Sequence, residues 1–554
     1  MLKKYLYIFT FISFFICCAS HTNRKSNNAN DGIGLWHNKD FDKDSINGIS
    51  LEKCYNENPK RTKKKIIVAT LDSQIDLDHE DLQGQLWVNK DEIPSNGIDD
   101  DNNGYIDDIN GWNFLGKPNG GFFRNGNYEY TKIVRKYQKY FEGKSEVSPD
   151  SIHLFNDYKR AVKYHTTYSS FHKDYLKSLE YTISIWSKGK DTLKYFFPEE
   201  DYTIAQLDSL YNKYKINDKS YDEIRDDNDT DLGALIFNIL ASYEIGKKTL
   251  DDLIISRNET DSIIHRRLNI EYDPKVYIQD NPNILEKGYG NPILNNNQFQ
   301  LGHNTAVTSI IAANRKNDVG LLGFHENIKV MPLVVSNSGD EYDKDIAMAI
   351  HYAVDNGAKV INMSNGKDFS LNQEWVSEAL IYAENHNVLI VHSSGNSKLN
   401  VDKKTYFPTD YIYTDNKEIV TNFINVGSVS KRTDSTIVSP FSNYGKNNVD
   451  LFAPGEEIYV AAPNNTYKYD SGTSLAAPMV SGTAALIWLY YPNLTVQEVK
   501  NIILESGVTL DKMVVKPGTE NEMVHFSELC KTGKILNAYN AMKMAEEVSK
   551  RKKK

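Results

Sequence analysis

The sequence predicts an α/β protein built on a central, mainly parallel sheet and interrupted by a mainly helical insertion. Three observations lead there. Ile66-Ile67-Val68-Ala69-Thr70-Leu71 is an unbroken apolar run of strand length, the pattern of a strand covered on both faces. From about residue 302 onward, strand-like and helix-like segments alternate, which implies βαβ units. Between these parts, 119–297 turns rich in Tyr, Lys, Asp and Asn, with apolar residues at helical spacing over 232–245.

Taken in order, the chain opens with Lys3 and Lys4, an apolar stretch over 6–16, then Cys17, Cys18, Ala19 and Ser20. That is a charged, apolar and small-residue succession typical of an export signal, and it is too short to span a bilayer. Cys18 followed by Ala and Ser resembles a bacterial lipoprotein processing site, so attachment to a membrane through a lipidated Cys18 is expected beside plain secretion. Residues 1–18 are thus read as signal peptide and 19–47, polar and Asn/Lys-rich, as linker. The folded domain is expected over 48–545 and a basic tail over 546–554. Beyond the signal only Cys54 and Cys530 remain, too few for a disulfide framework, and each is expected as a buried small residue.

Within the alternating region, 329–335 and 358–363 read as strands, 343–356 and 373–387 as helices, and 388–392 as a strand. Thr495 and Glu498 form a capping box that opens a further helix. The acidic stretch 226–231 reads as a solvated loop. The formal net charge of -10 argues against a nucleic-acid partner, which would need clustered Lys and Arg. A monomer is expected.

The chemistry concentrates in Ser471-Gly472-Thr473-Ser474-Leu475-Ala476-Ala477-Pro478-Met479-Val480-Ser481-Gly482. Gly472 is expected to allow a tight turn, and Ser474 to open a buried helix whose first turn accommodates Pro478. A serine hydroxyl there lies where a helix N-terminus favours developing negative charge. Taken alone, it could equally be a helix N-cap.

Gly472 to Gly482 resembles the nucleophile motif of the subtilisin-like serine peptidases (subtilases), a family whose triad runs Asp, His, Ser. Asp72-Ser73-Gln74-Ile75-Asp76 resembles its Asp motif and Gly302-His303-Asn304-Thr305-Ala306-Val307 its His motif. The resemblance implies a three-layer fold with helices on both sheet faces and a serine endopeptidase acting on polypeptides. Ser474 would be nucleophile, His303 the base and Asp72 the orienting carboxylate. His392-Ser393-Ser394-Gly395-Asn396 resembles the oxyanion motif, giving Asn396 and the Ser474 N–H as donors. Ser364, Asn365, Gly366, Ser394 and Gly395 would flank extended substrate, and 441–445 and 450–455 resemble further family landmarks that shape loops and pack the core. Gly is usual in the family at 74, 304 and 309, His at 306 and 479, and an apolar residue at 365, so Gln74, Asn304, Ser309, Ala306, Met479 and Asn365 depart from it. The departures at 74, 304 and 365 motivate the alternative of a catalytically weak or inactive subtilisin-like peptide-binding protein of the cell envelope.

Asp99, Asp101, Asn103, a backbone carbonyl at Tyr105, and Asp107 follow the first half of an EF-hand-type loop, with Gly104 at the turn and Asp108 adjoining; Asn110 stands where the closing Glu would be. Oxygen donors at this density predict structural Ca²⁺. The same stretch could otherwise be an acidic, Asx-rich turn.

Overall fold

The structure, a computed structural model, describes residues 35–57, 64–412, 415 and 417–552. The signal peptide and Cys18 lie outside the described residues. The chain forms two compact units, one over Tyr130–Asp273 and one containing the flanking segments up to Glu129 and from Pro274 onward.

The larger unit holds a nine-stranded sheet. Its strands are β1 (Ile66–Asp72), β2 (Trp112–Asn113), β3 (Ile328–Val334), β4 (Val360–Met363), β5 (Leu389–Ser393), β6 (Phe423–Val429) and β7 (Leu451–Pro454). An antiparallel hairpin, β8 (Ile458–Ala462) and β9 (Thr466–Asp470), follows outside the sheet, and β10 (Val508–Thr509) and β11 (Lys534–Ile535) complete it. The order is β10-β11-β7-β6-β5-β4-β1-β3-β2. Every pair is parallel except β10 with β11.

The parallel strands are apolar throughout because helices cover both faces. Val68, Val330, Val360, Val391 and Val426 pack with Val307 and Ile311 of helix Gly302–Ala312 and with Val480 and Leu486 of helix Thr473–Tyr490. The alternate positions Leu71, Leu333, Met363 and Ile390 pack with Ile346 and Ile350 of Asp343–Asp355 and Leu380 of Gln373–Asn385. This is the expected three-layer arrangement. The chain leaves β1 for β3 on one side and returns for β4 on the other. The carboxyl ends of β1, β4 and β5 therefore meet at a topological switch point, where such sheets bind ligands.

The Tyr130–Asp273 unit is helical, built around Ile152–Lys194, a helix of 43 residues. Its core joins Leu179, Trp186 and Leu193 to Leu207, Ile236, Leu240 and Leu253. It is narrower than the 119–297 stretch expected from composition. The flanks pair into the sheet unit instead: Asn113 and Asn291 exchange backbone hydrogen bonds at 2.9 and 3.1 Å, and Trp112 Nε1 donates to the Tyr289 carbonyl at 2.8 Å.

Two boundaries differ from the sequence reading. Residues 35–47 are not linker: Trp36 is buried and its Nε1 donates to the Glu457 carbonyl at 3.0 Å. Residues 546–552 of the expected basic tail are the end of helix Ala538–Lys552, where Lys550 pairs with Glu546 one turn back and Lys552 with Glu498 at 2.7 Å. The Thr495–Glu498 capping box forms as expected, and Cys54 and Cys530 are buried and unpaired.

Candidate active site

Asp72 is the last residue of β1, almost wholly buried, with its carboxylate accepting the Ser73 amide at 2.6 Å. His303 sits inside the first turn of helix Gly302–Ala312. Its Nδ1 bonds both Asp72 oxygens, at 2.7 and 2.9 Å. That contact puts the proton on Nδ1 and leaves Nε2 as the basic nitrogen. Burial pulls the imidazole pKa down, but the charge and hydrogen bond of Asp72 outweigh it, with Asp470 of β9 adding to the rise. The net result is an imidazole that holds its proton above the ordinary histidine range.

The Asp72 loop is fastened by the residues that depart from the family pattern. Asn304 Nδ2 donates to the Ser73 carbonyl at 2.9 Å. Gln74 Nε2 donates to Asn296 Oδ1 at 2.7 Å, and its Oε1 accepts the Asn297 amide at 2.7 Å. Asn365 Nδ2 donates to the Leu71 carbonyl at 2.9 Å. Thr305 adds a further tie, its Oγ1 accepting the Asp76 amide at 2.9 Å. Asn304 and Asn365 thus tie down Ser73 and Leu71, Gln74 anchors the loop to Asn296 and Asn297, and all three leave the Asp72–His303 contact intact.

Ser474 is the second residue of helix Thr473–Tyr490, whose N-cap is Gly472. Its hydroxyl is therefore not used as a cap. The hydroxyl donates to the Ser364 carbonyl at 3.1 Å, and Ser364 Oγ donates to the Ser474 carbonyl at 2.8 Å. Pro478 explains the second bond. It lies past the first turn, contrary to the sequence reading, and lacks the N–H that would take the Ser474 carbonyl in a regular helix. Gly472 has extended backbone rather than a tight turn. Its importance is the space it leaves: a Cβ there would lie 3.5 Å from Asn396 Nδ2, 3.7 Å from Ser474 N and 3.8 Å from Ser474 Oγ. Two N–H donors and the hydroxyl face one gap large enough for a small oxygen-bearing group.

Asn396 is aimed by its other end, since Oδ1 accepts the Thr473 amide at 2.7 Å and its hydroxyl at 2.9 Å. Gly395 donates its amide to Thr473 Oγ1 at 3.1 Å. Asn443, inside the 441–445 landmark, braces this loop: its Nδ2 donates to the Ser394 carbonyl at 2.8 Å and its Oδ1 accepts the Ser397 and Leu399 amides. Sequence reasoning gave that segment only loop shape and core packing. The contacts of Thr473, Thr305 and Asn443 join segments far apart in the chain, which local patterns do not report.

The acidic loop divides. Carboxylates of Asp99, Asp101 and Glu92 lie within 4.8 Å of one another. Glu92 was missed because it precedes the loop; it accepts the amides of Asp100 at 2.7 Å and Asp107 at 3.0 Å. Asn103 donates its side-chain amide to Asp101 and Asp108, both at 3.0 Å. Asp107 turns to the Asn96 and Gly97 amides, both at 3.0 Å. Asp108 accepts from Asn89 and the Tyr352 hydroxyl, and the Tyr105 ring is buried against Trp112 and Tyr352. The expected ligand set therefore separates into a converging group, Asp99 and Asp101 with Glu92, and a bracing group, Asp107 and Asp108. Three close carboxylates repel one another and fit a hard divalent cation with oxygen ligands.

The subtilase family model matches residues 63–527. The cell wall-associated protease of Bacillus subtilis (strain 168) is 36% identical over 227 residues, 41% of this chain and 23% of that protein. The chain thus spans about a quarter of that relative's length. Subtilisin DY of Bacillus licheniformis is 31% identical over 211 residues, 38% of this chain and 71% of its own. The solved structure of the prenylagaramide maturation protease PagA is 28% identical, covering 44% of this chain and 82% of that one, with a TM-score of 0.35. Because the family model's match over 63–527 spans the strand that bears Asp72, the helix of His303 and the helix of Ser474, the chain belongs to the subtilase family.

Proposed function

We propose that this protein is a serine endopeptidase that cleaves polypeptides through an acyl-enzyme on Ser474. The observation that carries the reading is the Asp72–His303 contact, with Nε2 left basic, together with a Ser474 hydroxyl unused by the helix cap. The hydroxyl turns from the Ser364 carbonyl to His303 Nε2, which takes its proton as Oγ attacks the substrate carbonyl. The oxyanion develops in the gap at Gly472 between Asn396 Nδ2 and the Ser474 N–H, and the helix N-terminus lowers its energy. The imidazolium gives its proton to the leaving amine, leaving an ester on Ser474. Water then attacks the ester with His303 again as base, releasing the acid and restoring the hydroxyl. Residues 364–366 and 394–395 flank the extended substrate. A fluorophosphonate probe should label the wild-type protein and not Ser474→Ala; equal labelling of both would refute the assignment.

The protein is exported and held at the cell envelope, a reading supported by the residue pattern over 1–20 and by the name of the Bacillus subtilis relative. Ca²⁺ is bound by Glu92, Asp99 and Asp101, where it neutralises their repulsion and stiffens the loop before β2. Its removal with a chelator should lower Tm, and Ca²⁺ at a hundred-fold excess over Kd should restore about 2.7 kcal/mol. An Asp99→Asn/Asp101→Asn variant should lose this response, and an identical Tm with and without Ca²⁺ in the wild type would reject the site.

A further inference from the structure

Beside Ser474, two glycines leave the ends of neighbouring parallel strands. Gly366 follows β4 and Gly395 follows β5. The Ser364 carbonyl accepts from the Ser474 hydroxyl, and the Gly395 amide donates to Thr473, so both segments border the nucleophile. A pair of glycines here should open a slot between the two walls. One aromatic ring occupies it. A Cβ on Gly366 would lie 2.4 Å from Tyr406 Cε1 and 2.7 Å from Cζ, and a Cβ on Gly395 would lie 2.8 Å from the same Cζ and 2.9 Å from Cε1. The phenol edge touches both glycines at once.

The chain that carries Tyr406 is held on both sides. Phe407, the next residue, exchanges both backbone hydrogen bonds with Lys367, at 2.9 and 2.8 Å. Two residues before it, Lys404 pairs with Asp368 at 2.8 Å. Lys367 is itself buried and paired with Asp343 at 2.8 Å and Glu129 at 3.2 Å. Moving the chain that carries the ring away from 366–368 would break these contacts. Burial, followed by the charges of Glu341, Asp368 and Asp340, pushes the phenol well above its usual range, so the group in the slot is neutral.

A peptide carbonyl attacked by Ser474 has its oxygen at Asn396. With the oxygen there, the α-carbon, bonded to the carbonyl carbon, would lie beside Gly395 and the 364–366 segment, with its side chain directed at the slot. We propose that Tyr406 closes this slot, so that the enzyme cleaves after residues with small side chains, Gly, Ala or Ser, and discriminates against large ones. The inference rests on the endopeptidase reading above and adds its substrate class.

The test is digestion of a mixed peptide library by the full chain, followed by kinetics on matched peptides with Ala or Phe before the scissile bond. Cleavage by the wild type should concentrate after Gly, Ala and Ser. Comparable cleavage after Phe, Leu or Lys overturns the proposal without any variant. In Tyr406→Ala the ratio of kcat/KM for Phe over Ala should rise about 10²-fold, the scale on which a pocket rejects excess bulk. Tyr406→Phe, which keeps the ring, should retain the wild-type ratio. An unchanged ratio in an active Tyr406→Ala also overturns the proposal. Fluorophosphonate labelling separates the two levels. A wild type that is labelled yet shows no size preference refutes the Tyr406 assignment alone, whereas a wild type that neither labels nor cleaves refutes the enzyme reading and this inference with it.

Discussion

Replacing His303 with alanine should lower kcat by about 10⁶-fold, and adding Ser474→Ala to that variant should cost almost nothing more. The magnitude is the one found for the triad of a subtilisin and is carried over to this chain as a family member. The physical reason is that neither group acts alone. Without a base at Nε2 the Ser474 hydroxyl remains an alcohol bonded to the Ser364 carbonyl, a poor nucleophile at neutral pH. Without the hydroxyl, His303 has no proton to take. The residual rate over water would come from the gap at Gly472 and from substrate alignment along 364–366. Steady-state kinetics on the two single variants and the double variant checks this. Additive losses would mean that His303 and Ser474 do not share one proton transfer.

Asp72→Asn should lower kcat by about 10⁴-fold while leaving the fold intact. The amide can still bond Nδ1, but it offers no charge to the imidazolium and can select the wrong tautomer. A pH profile gives this variant its signature. In the wild type, Asp72 holds the His303 pKa above the ordinary value near 6.5. Catalysis needs the neutral ring, so kcat/KM should climb through a midpoint above that value as pH rises. In Asp72→Asn the desolvation of His303 acts unopposed by Asp72, and the midpoint should move to lower pH. The sign for stability is the reverse. A raised folded pKa means the charged pair stabilises the fold fully below the unfolded value, and this contribution fades as pH rises through the folded value. Activity and this part of stability therefore change in opposite directions across the same window. A wild-type midpoint at or below 6.5 would contradict the arrangement.

The parts of the site legible in the sequence are those whose requirements are local. Asp72 closes an apolar strand, His303 opens a helix, and Ser474 stands in an eleven-residue motif, so each announces itself within a short window. The parallel strands are legible for the same reason, because burial on both faces leaves no polar alternation. Other features depend on partners distant in the chain. Trp36 lies in a polar stretch that composition labels as linker, and its burial depends on a core shared with Ile458 and Val460 and on the Glu457 carbonyl, 421 residues away. Gln74, Asn304 and Asn365 look like disturbances when set against the family pattern. They become braces once Asn296, Asn297, Ser73 and Leu71 are placed beside them. Tyr406 bears no motif at all, and its position between Gly366 and Gly395 exists only in the folded chain.

The order in which the chain emerges from the ribosome gives the sheet topology one more effect. β1 finds neighbours only in β3 and β4, and His303 lies 231 residues beyond Asp72. At typical elongation rates that gap takes on the order of tens of seconds to synthesise. During this interval the apolar strand has no partner from its own sheet, a long-range pairing of the kind that slows folding. The helix of Ser474 supplies a large share of one sheet face and follows Asp72 and His303 in the chain, so the three site segments can come together only late in synthesis.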